Sequence, residues 1–407
     1  MTRRRILFIL KALLLLTLLS LLAIGAWPKW VTSAAPGGGS SSGKFKRAEG
    51  SREWRFPRDH GQHPAYRLEW WYYTGIVNTK DGRRFGYQVT FFRQGLRTRR
   101  PTDPKASAWT VGSLYLAHAA VSDLKARRFH RADRVGRDSL GLSGAAPDRH
   151  TVWLGAWRAD ALAGDPHGAR LAITAKTFAL RLTLRAEKGP VLHGAGGLDK
   201  KGPAPGQASW YYSMPRLATE GTLTVQGKVH QVRGFTWMDH EFGTGQLPPG
   251  VAGWDWLALR LNDGSDLMLY RLRRKDGGLA PGSAGSLIDP QGKRREIRIA
   301  DRADEKGFTA SMTPGGYWRS PASGGRYPLS WRIAIPAIGL ELEVGAAFPA
   351  QEQLAAPGTP FAYWEGVVRA RGSRAGRPVR GEGYLEMTGY AGPLGGALRE
   401  GAPKRRP

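Results

Sequence analysis

Asp239, His240 and Glu241 stand side by side in the segment Trp237-Met238-Asp239-His240-Glu241-Phe242-Gly243-Thr244-Gly245. A carboxyl, an imidazole and a second carboxyl are groups from which proteins assemble general acids and bases near neutral pH. The segment follows a strand-like run, Val232 to Trp237, and leads into a Gly-rich turn. Strand alternation would send Asp239 and Glu241 to one face and His240 to the other. Three ionisable groups in a row are costly to bury unpaired. Two arrangements meet that constraint: the wall of a wet or reactive cavity, or a buried ion-paired corner. Perturbed acids and bases gather at sites, which favours the cavity.

Other residues could serve such a cavity. Glu69 opens the run Glu69-Trp70-Trp71-Tyr72-Tyr73. On a strand, Trp70 and Tyr72 share one face, and Glu69, Trp71 and Tyr73 share the other, as expected between two packed layers. Glu69 is then either a second pocket acid or the partner of an arginine such as Arg93. Trp254 and Trp256 share a face with Asp255 opposite, and Tyr270 lies on the expected return strand; these aromatics line a pocket or simply fill a core. Glu365, Glu382 and Glu386 lie near the C-terminal strands, with Glu382, Tyr384 and Glu386 sharing one face; these carboxyls either serve a pocket or, as the more common outcome, lie on a solvated face. Asp59, His60 and His63 lie in a loop rich in Pro and Gly, not on a helix, so a turn held by these side chains is preferred to a metal site. His118, in an apolar run, reads as a buried, satisfied histidine. No metal and no cofactor is expected. There is no nucleophile elbow, phosphate loop or dinucleotide fingerprint, which argues against serine hydrolases and nucleotide enzymes.

These residues must be positioned by strands. The 407 residues suffice for two cores, and 55 Gly, 27 Pro and 15 Trp point to a turn-rich β protein. Leu68 to Val77 and Phe85 to Phe92 flank the turn signal Lys80-Asp81-Gly82. Gly221 to Val225 and Val229 to Trp237 flank Gln226-Gly227-Lys228. Trp254 to Leu261 and Asp266 to Leu272 flank Asn262-Asp263-Gly264-Ser265. Thr151 to Trp157 and Gly381 to Thr388 are among further expected strands. Many short strands predict antiparallel barrels or sandwiches. The echo between Glu69-Trp70-Trp71 and Trp254-Asp255-Trp256 predicts two β units, residues 51–245 and 246–395.

The termini differ in kind. Arg3-Arg4-Arg5 followed by the apolar run Ala12 to Trp27 reads as a secretory signal or an uncleaved anchor over 1–35. A flexible linker follows over 36–50, and a basic tail closes the chain over 396–407. The expected location is therefore periplasmic, or anchored to the outer face of the inner membrane. Without cysteine, disulfides, thiolate nucleophiles and Cys-based zinc sites are excluded. The net charge of +28 is spread over loops such as Arg97–Arg100, Lys125–Arg128 and Lys200-Lys201. It fits a surface resting near anionic lipid, or merely an Arg-rich composition, and carries no nucleic-acid-binding motif.

Several motifs together resemble a family. Asp59-His60-Gly61-Gln62-His63-Pro64, Leu68 to Gly75, Phe85 to Arg93, Trp237 to Gly243, Gly253-Trp254-Asp255-Trp256, Leu267 to Tyr270 and Gly383 to Tyr390 are similar to the lipocalin-like AttH and carotenoid 1,2-hydratase (CrtC) family. The resemblance spans roughly Trp54 to Tyr390. It implies an all-β fold of two lipocalin-like antiparallel barrel or sandwich domains with a hydrophobic cavity in or between them. It also implies a hydrophobic isoprenoid or lipid ligand, with two activities in view. One is hydration of a carbon–carbon double bond, with Asp239 as the acid, His240 orienting water, and Glu241 and Glu69 as supporting carboxyls. Trp70, Tyr72, Trp237, Trp254, Trp256 and Tyr270 would then hold the ligand. The other is a non-catalytic carrier or accessory of an envelope ABC-type permease. A scaffold with an empty cavity is a third, weaker reading.

Overall fold

The structure, a computed structural model, describes residues 44–98, 111–245, 247–304, 307–354 and 362–392, all within one compact unit. The expected leader or anchor, most of the linker and the basic tail lie outside the described residues. No helix among the described residues is long and apolar enough to cross a membrane.

The described fold is almost entirely β, as expected, in two barrel-like sheets. The first holds thirteen strands between Leu68 and Gly243. Its centre is an antiparallel set in which Leu68–Asn78 lies between Arg84–Gly95 and Lys228–Gly243, and Lys228–Gly243 pairs in turn with Ala208–Val225. The second sheet holds ten strands between Val251 and Met387. It closes on itself where Leu340–Ala346 pairs with Tyr363–Arg374. The three expected hairpins all form. In one of them Gln226 and Gly227 both have positive φ (49° and 79°), which matches the right-handed twist of the flanking strands.

Two expected boundaries move. The strand expected to stop at Trp237 continues to Gly243, because Leu68–Asn78 pairs with it along its whole length, Leu68 against Gly243 and Asn78 against Arg233. The site-bearing segment is therefore part of a central strand. The single strand expected over Thr151 to Trp157 is two, Val152–Leu154 and Trp157–Leu162, separated by a turn at Gly155 with φ of 59°.

Apolar side chains form three main clusters. One lies inside the first sheet around Trp71, Tyr73, Phe91 and Leu182, and one inside the second around Leu259, Trp331 and Trp364. The third lies between the sheets and contains Tyr72, Tyr211, Trp237, Trp256, Met268 and Tyr384. Alternation explains this: Trp71 and Tyr73 point into the first core while Tyr72 points out of it, towards the second sheet. Close approach of the sheets needs a missing side chain at Gly86, where a Cβ would stand 2.2 Å from Val367 Cγ2 and 2.5 Å from Tyr384 Oη.

Candidate active site

A cleft of about 120 Å³ lies between the sheets. Trp70, Tyr72, Tyr211, Asp239 and Glu241 face it from the first sheet. Trp254, Trp256, Tyr270, Glu365 and Glu386 face it from the second. The walls are mainly aromatic, and carboxyl groups enter from both sides.

Asp239 is buried and takes three donors. Ser213 Oγ donates to Oδ1 at 2.5 Å, Trp237 Nε1 to Oδ1 at 2.6 Å, and Tyr211 Oη to Oδ2 at 2.9 Å. Trp256 Nε1 donates to Tyr211 Oη at 3.1 Å, so the second sheet braces the same group. Burial pushes the Asp239 carboxyl up to about 7; the three hydrogen bonds oppose that rise and the Glu241 charge adds to it. Trp237 thus serves the cleft by holding Asp239, and its ring does not line the cavity.

Glu241 accepts from Ser209 Oγ at 2.5 Å and lies 3.4 Å from Lys201 Nζ. Burial raises its carboxyl, against the pull of Lys201 and Ser209. Lys201 also pairs with Asp199 at 2.5 Å and stands 4.1 Å from the Tyr270 ring centroid, while Tyr270 Oη donates to Asp199 at 2.7 Å. The sequence placed Lys200-Lys201 in a basic surface loop. The structure corrects this for Lys201, which is buried because Asp199 and Glu241 compensate its charge.

The second wall carries an acid pair for which the sequence favoured a solvated face over a pocket role. Glu365 and Glu386 are direct cross-strand partners. Like charges so placed repel, and both carboxyls rise: Glu386 to about 8, chiefly through burial, and Glu365 strongly upward through burial and then the Glu386 charge. Tyr72 Oη donates to Glu365 Oε1. Glu382, expected on the same face, instead pairs with Arg84 and Arg260.

His240 and Glu69 lie elsewhere. They occupy the opposite face of their strands, inside the first barrel, and so do not act on the cleft directly. His240 Nε2 donates to Glu69 Oε1 at 3.0 Å, and Arg93 Nε donates to Glu69 Oε2 at 2.9 Å. His63 Nδ1 donates to Glu69 Oε1 at 2.8 Å. Burial alone would raise the Glu69 carboxyl, but Arg93, His240 and His63 together hold it below the usual carboxylate range. Burial brings His240 down to about 4 against the pull of Glu69. Tyr212 Oη links His240 Nδ1 at 2.9 Å to His60 Nδ1 at 2.6 Å. The Asp-His-Glu run therefore serves two settings, one on each face: a cavity wall at Asp239 and Glu241, and a buried corner in which His240 donates to the Glu69–Arg93 ion pair.

The His63, Glu69 and His240 ligand atoms lie within 4.8 Å of one another. Arg93 occupies Glu69, and Arg52 Nη2 lies 2.9 Å from His63 Nε2. Two guanidinium groups bonded to members of this cluster oppose a metal cation, so these residues do not fit one. Asp59 accepts the Arg55 N–H at 2.6 Å and an Arg52 hydrogen bond at 2.7 Å, which makes the preceding loop a turn held by its side chains.

A family model described as AttH-like matches residues 47–390. A solved structure of an AttH from Nitrosomonas europaea is 31% identical, with 85% of this chain and 99% of that chain covered and a TM-score of 0.73. The solved kievitone hydratase of Nectria haematococca shares the fold at 15% identity and a TM-score of 0.60, with 86% and 97% of the two chains covered. Among curated proteins, the kievitone hydratase of Fusarium solani subsp. phaseoli is 23% identical over 218 residues. That match takes in 51% of this chain and 55% of the relative, so the chain spans about half the length of that relative.

Proposed function

The chain belongs to the AttH-like family, and from that premise and the chemistry of the cleft we propose that it binds a hydrophobic isoprenoid or lipid and adds water to one of its C=C bonds. The observation that carries this reading is the Asp239 carboxyl, raised to about 7 in an aromatic cleft between the sheets. A carboxylic acid that keeps its proton near neutral pH can protonate an alkene carbon. The electron pair of the double bond takes the Asp239 proton, and the cation forms at the other carbon. Aromatic faces of Trp70, Trp254 and Trp256 stabilise it. Water bonds to that carbon, and the proton it loses restores the acid, so the net change is alkene plus water to alcohol. His240 lies on the other face, so positioning the water falls to Glu241, Glu365 and Glu386.

The curated kievitone hydratase relative supports a hydratase reading. Export, a periplasmic or membrane-anchored location, contact with anionic lipid and an ABC-type permease partner remain part of the proposal on the strength of residues 1–35 and the basic composition. The carrier reading has one observation of its own: the histidine expected to handle water is sealed away from the cleft.

The test incubates the full chain with host lipid extract in ¹⁸O-labelled water and examines the lipids by mass spectrometry. Labelled alcohol that disappears in Asp239→Asn, with ligand affinity kept within a few-fold, supports the hydratase. A retained but unlabelled lipid, released on Trp256→Ala, replaces it with the carrier reading.

A further inference from the structure

Asp239 is connected to a second buried histidine that does not line the cleft. Ser213 Oγ lies 2.5 Å from Asp239 Oδ1 and 2.6 Å from His193 Nε2, and His193 Nδ1 lies 2.9 Å from Ser286 Oγ. All four residues are buried. His193 follows the short strand Val191–Leu192 of the first sheet, and Ser286 belongs to Ala284–Ile288 of the second, so the row runs along the seam between them. Its far end approaches the surface: Ser286 is the direct cross-strand partner of Glu296, which is solvent-exposed.

The donors at Asp239 give this row two self-consistent states. Trp237 Nε1 can only donate, and it points at Oδ1. With Asp239 ionised, Ser213 donates to Oδ1, His193 Nε2–H donates to Ser213, and Ser286 donates to His193 Nδ1. With the proton on Oδ1, every bond reverses: Asp239 donates to Ser213, Ser213 to Nε2, and Nδ1–H to Ser286. Moving each proton one step along its existing hydrogen bond converts the second state into the first. One proton leaves Asp239, one passes from Ser286 Oγ to solvent water at the sheet surface, and the imidazole exchanges one neutral tautomer for the other. The reverse shift restores the acid.

We propose that His193 is a positioning residue that, through Ser213, carries protons to and from Asp239 by switching tautomer without becoming charged. This rests on the reading of Asp239 as the acid of the cleft. The surroundings favour a neutral ring: burial, then Arg294 and Lys201, hold His193 well below its ordinary value, and the Tyr211 ring lies 4.3 Å from it between centroids. The titratable groups around Asp239 include Tyr211, Tyr72, Glu241 and Glu386. Tyr211 lies against the His193 ring, yet its hydroxyl donates to Asp239 Oδ2 and not to Ser213, so titration of these groups moves the pH of the switch and not its coupling to Asp239.

The experiment needs no substrate. The full chain is labelled with ¹⁵N-histidine, the His193 signals are assigned by their loss in His193→Gln, and both ring nitrogens are followed from about pH 5 to pH 9 across the range in which burial places Asp239. The expected result is an exchange of protonated and unprotonated shifts between Nδ1 and Nε2, with neither value reaching that of imidazolium. Ser213→Ala should abolish the pH dependence, and Asp239→Asn should fix the ring with its proton on Nε2. A tautomer that stays fixed through the wild-type titration, or a ring that becomes imidazolium, overturns the proposal. A switching ring in a protein that incorporates no ¹⁸O removes the hydratase and leaves the relay. A fixed ring in an active hydratase removes the relay alone.

Discussion

Replacing Asp239 by asparagine should change the way stability depends on pH. The Asp239 carboxyl ordinarily ionises near 3.8 and is pushed up to about 7 by burial in the folded protein. A shift of that size corresponds to about 4 kcal/mol favouring the neutral form. The folded state holds this proton more tightly than the unfolded state. The contribution is therefore fully present below pH 3.8, declines as pH rises towards 7 and is lost above it. Asparagine has no proton to lose. The stability of the wild type minus that of Asp239→Asn should fall by about 4 kcal/mol between roughly pH 4 and pH 8. Glu365 and Glu386 also titrate upward, but they are present in both proteins and largely cancel in the difference. Urea unfolding followed by tryptophan fluorescence at a series of pH values reads this directly. A difference that varies by less than about 1 kcal/mol over that range would mean an Asp239 carboxyl that ionises like a solvated one. The acid assigned to the cleft would then be lost, whatever the protein binds.

Two further outcomes follow from the packing. Glu69→Gln leaves the Arg93 guanidinium buried without its carboxylate, and thermal unfolding should report a loss of about 3–5 kcal/mol; a loss below about 1 kcal/mol would show that the pair contributes little. Gly86→Ala places a methyl group 2.2 Å from Val367 Cγ2 and 2.5 Å from Tyr384 Oη, which should lower the melting temperature by the equivalent of about 1–3 kcal/mol; an unchanged melting temperature would mean that the sheets move apart at no cost.

Much of this could be read from the chain before the structure, and the failures have physical causes. Alternation is a local property, so the split of Asp239 and Glu241 from His240 was visible in the spacing, as was the two-sided aromatic strand at Trp70 to Tyr73. Turn chemistry is local too, and the three hairpins followed from Asp-Gly and Gln-Gly-Lys signals. What alternation does not reveal is what lies opposite a face. Glu386 reads as a residue facing solvent until Glu365 is known to stand across from it and the first sheet to cover both. Lys201 looked like surface charge because Glu241 becomes its neighbour only through the pairing of distant strands, and Asp199, two residues away, reads by itself as a local surface pair. The link from Asp239 to His193 needs contacts 26 and 20 residues apart and could not be found from spacing alone.

The two walls of the cleft are encoded in separate stretches of the chain, Leu68–Gly243 and Val251–Met387. Either stretch made alone would present Trp70, Tyr72 and Trp237, or Trp256, Met268 and Tyr384, to water as an uncovered aromatic and apolar patch. A gene truncated between them would yield no smaller version of the cleft, only half of it on a sticky surface. Recombination can therefore exchange the loops around the cleft far more readily than it can exchange one wall, because each wall is the solvent shield of the other.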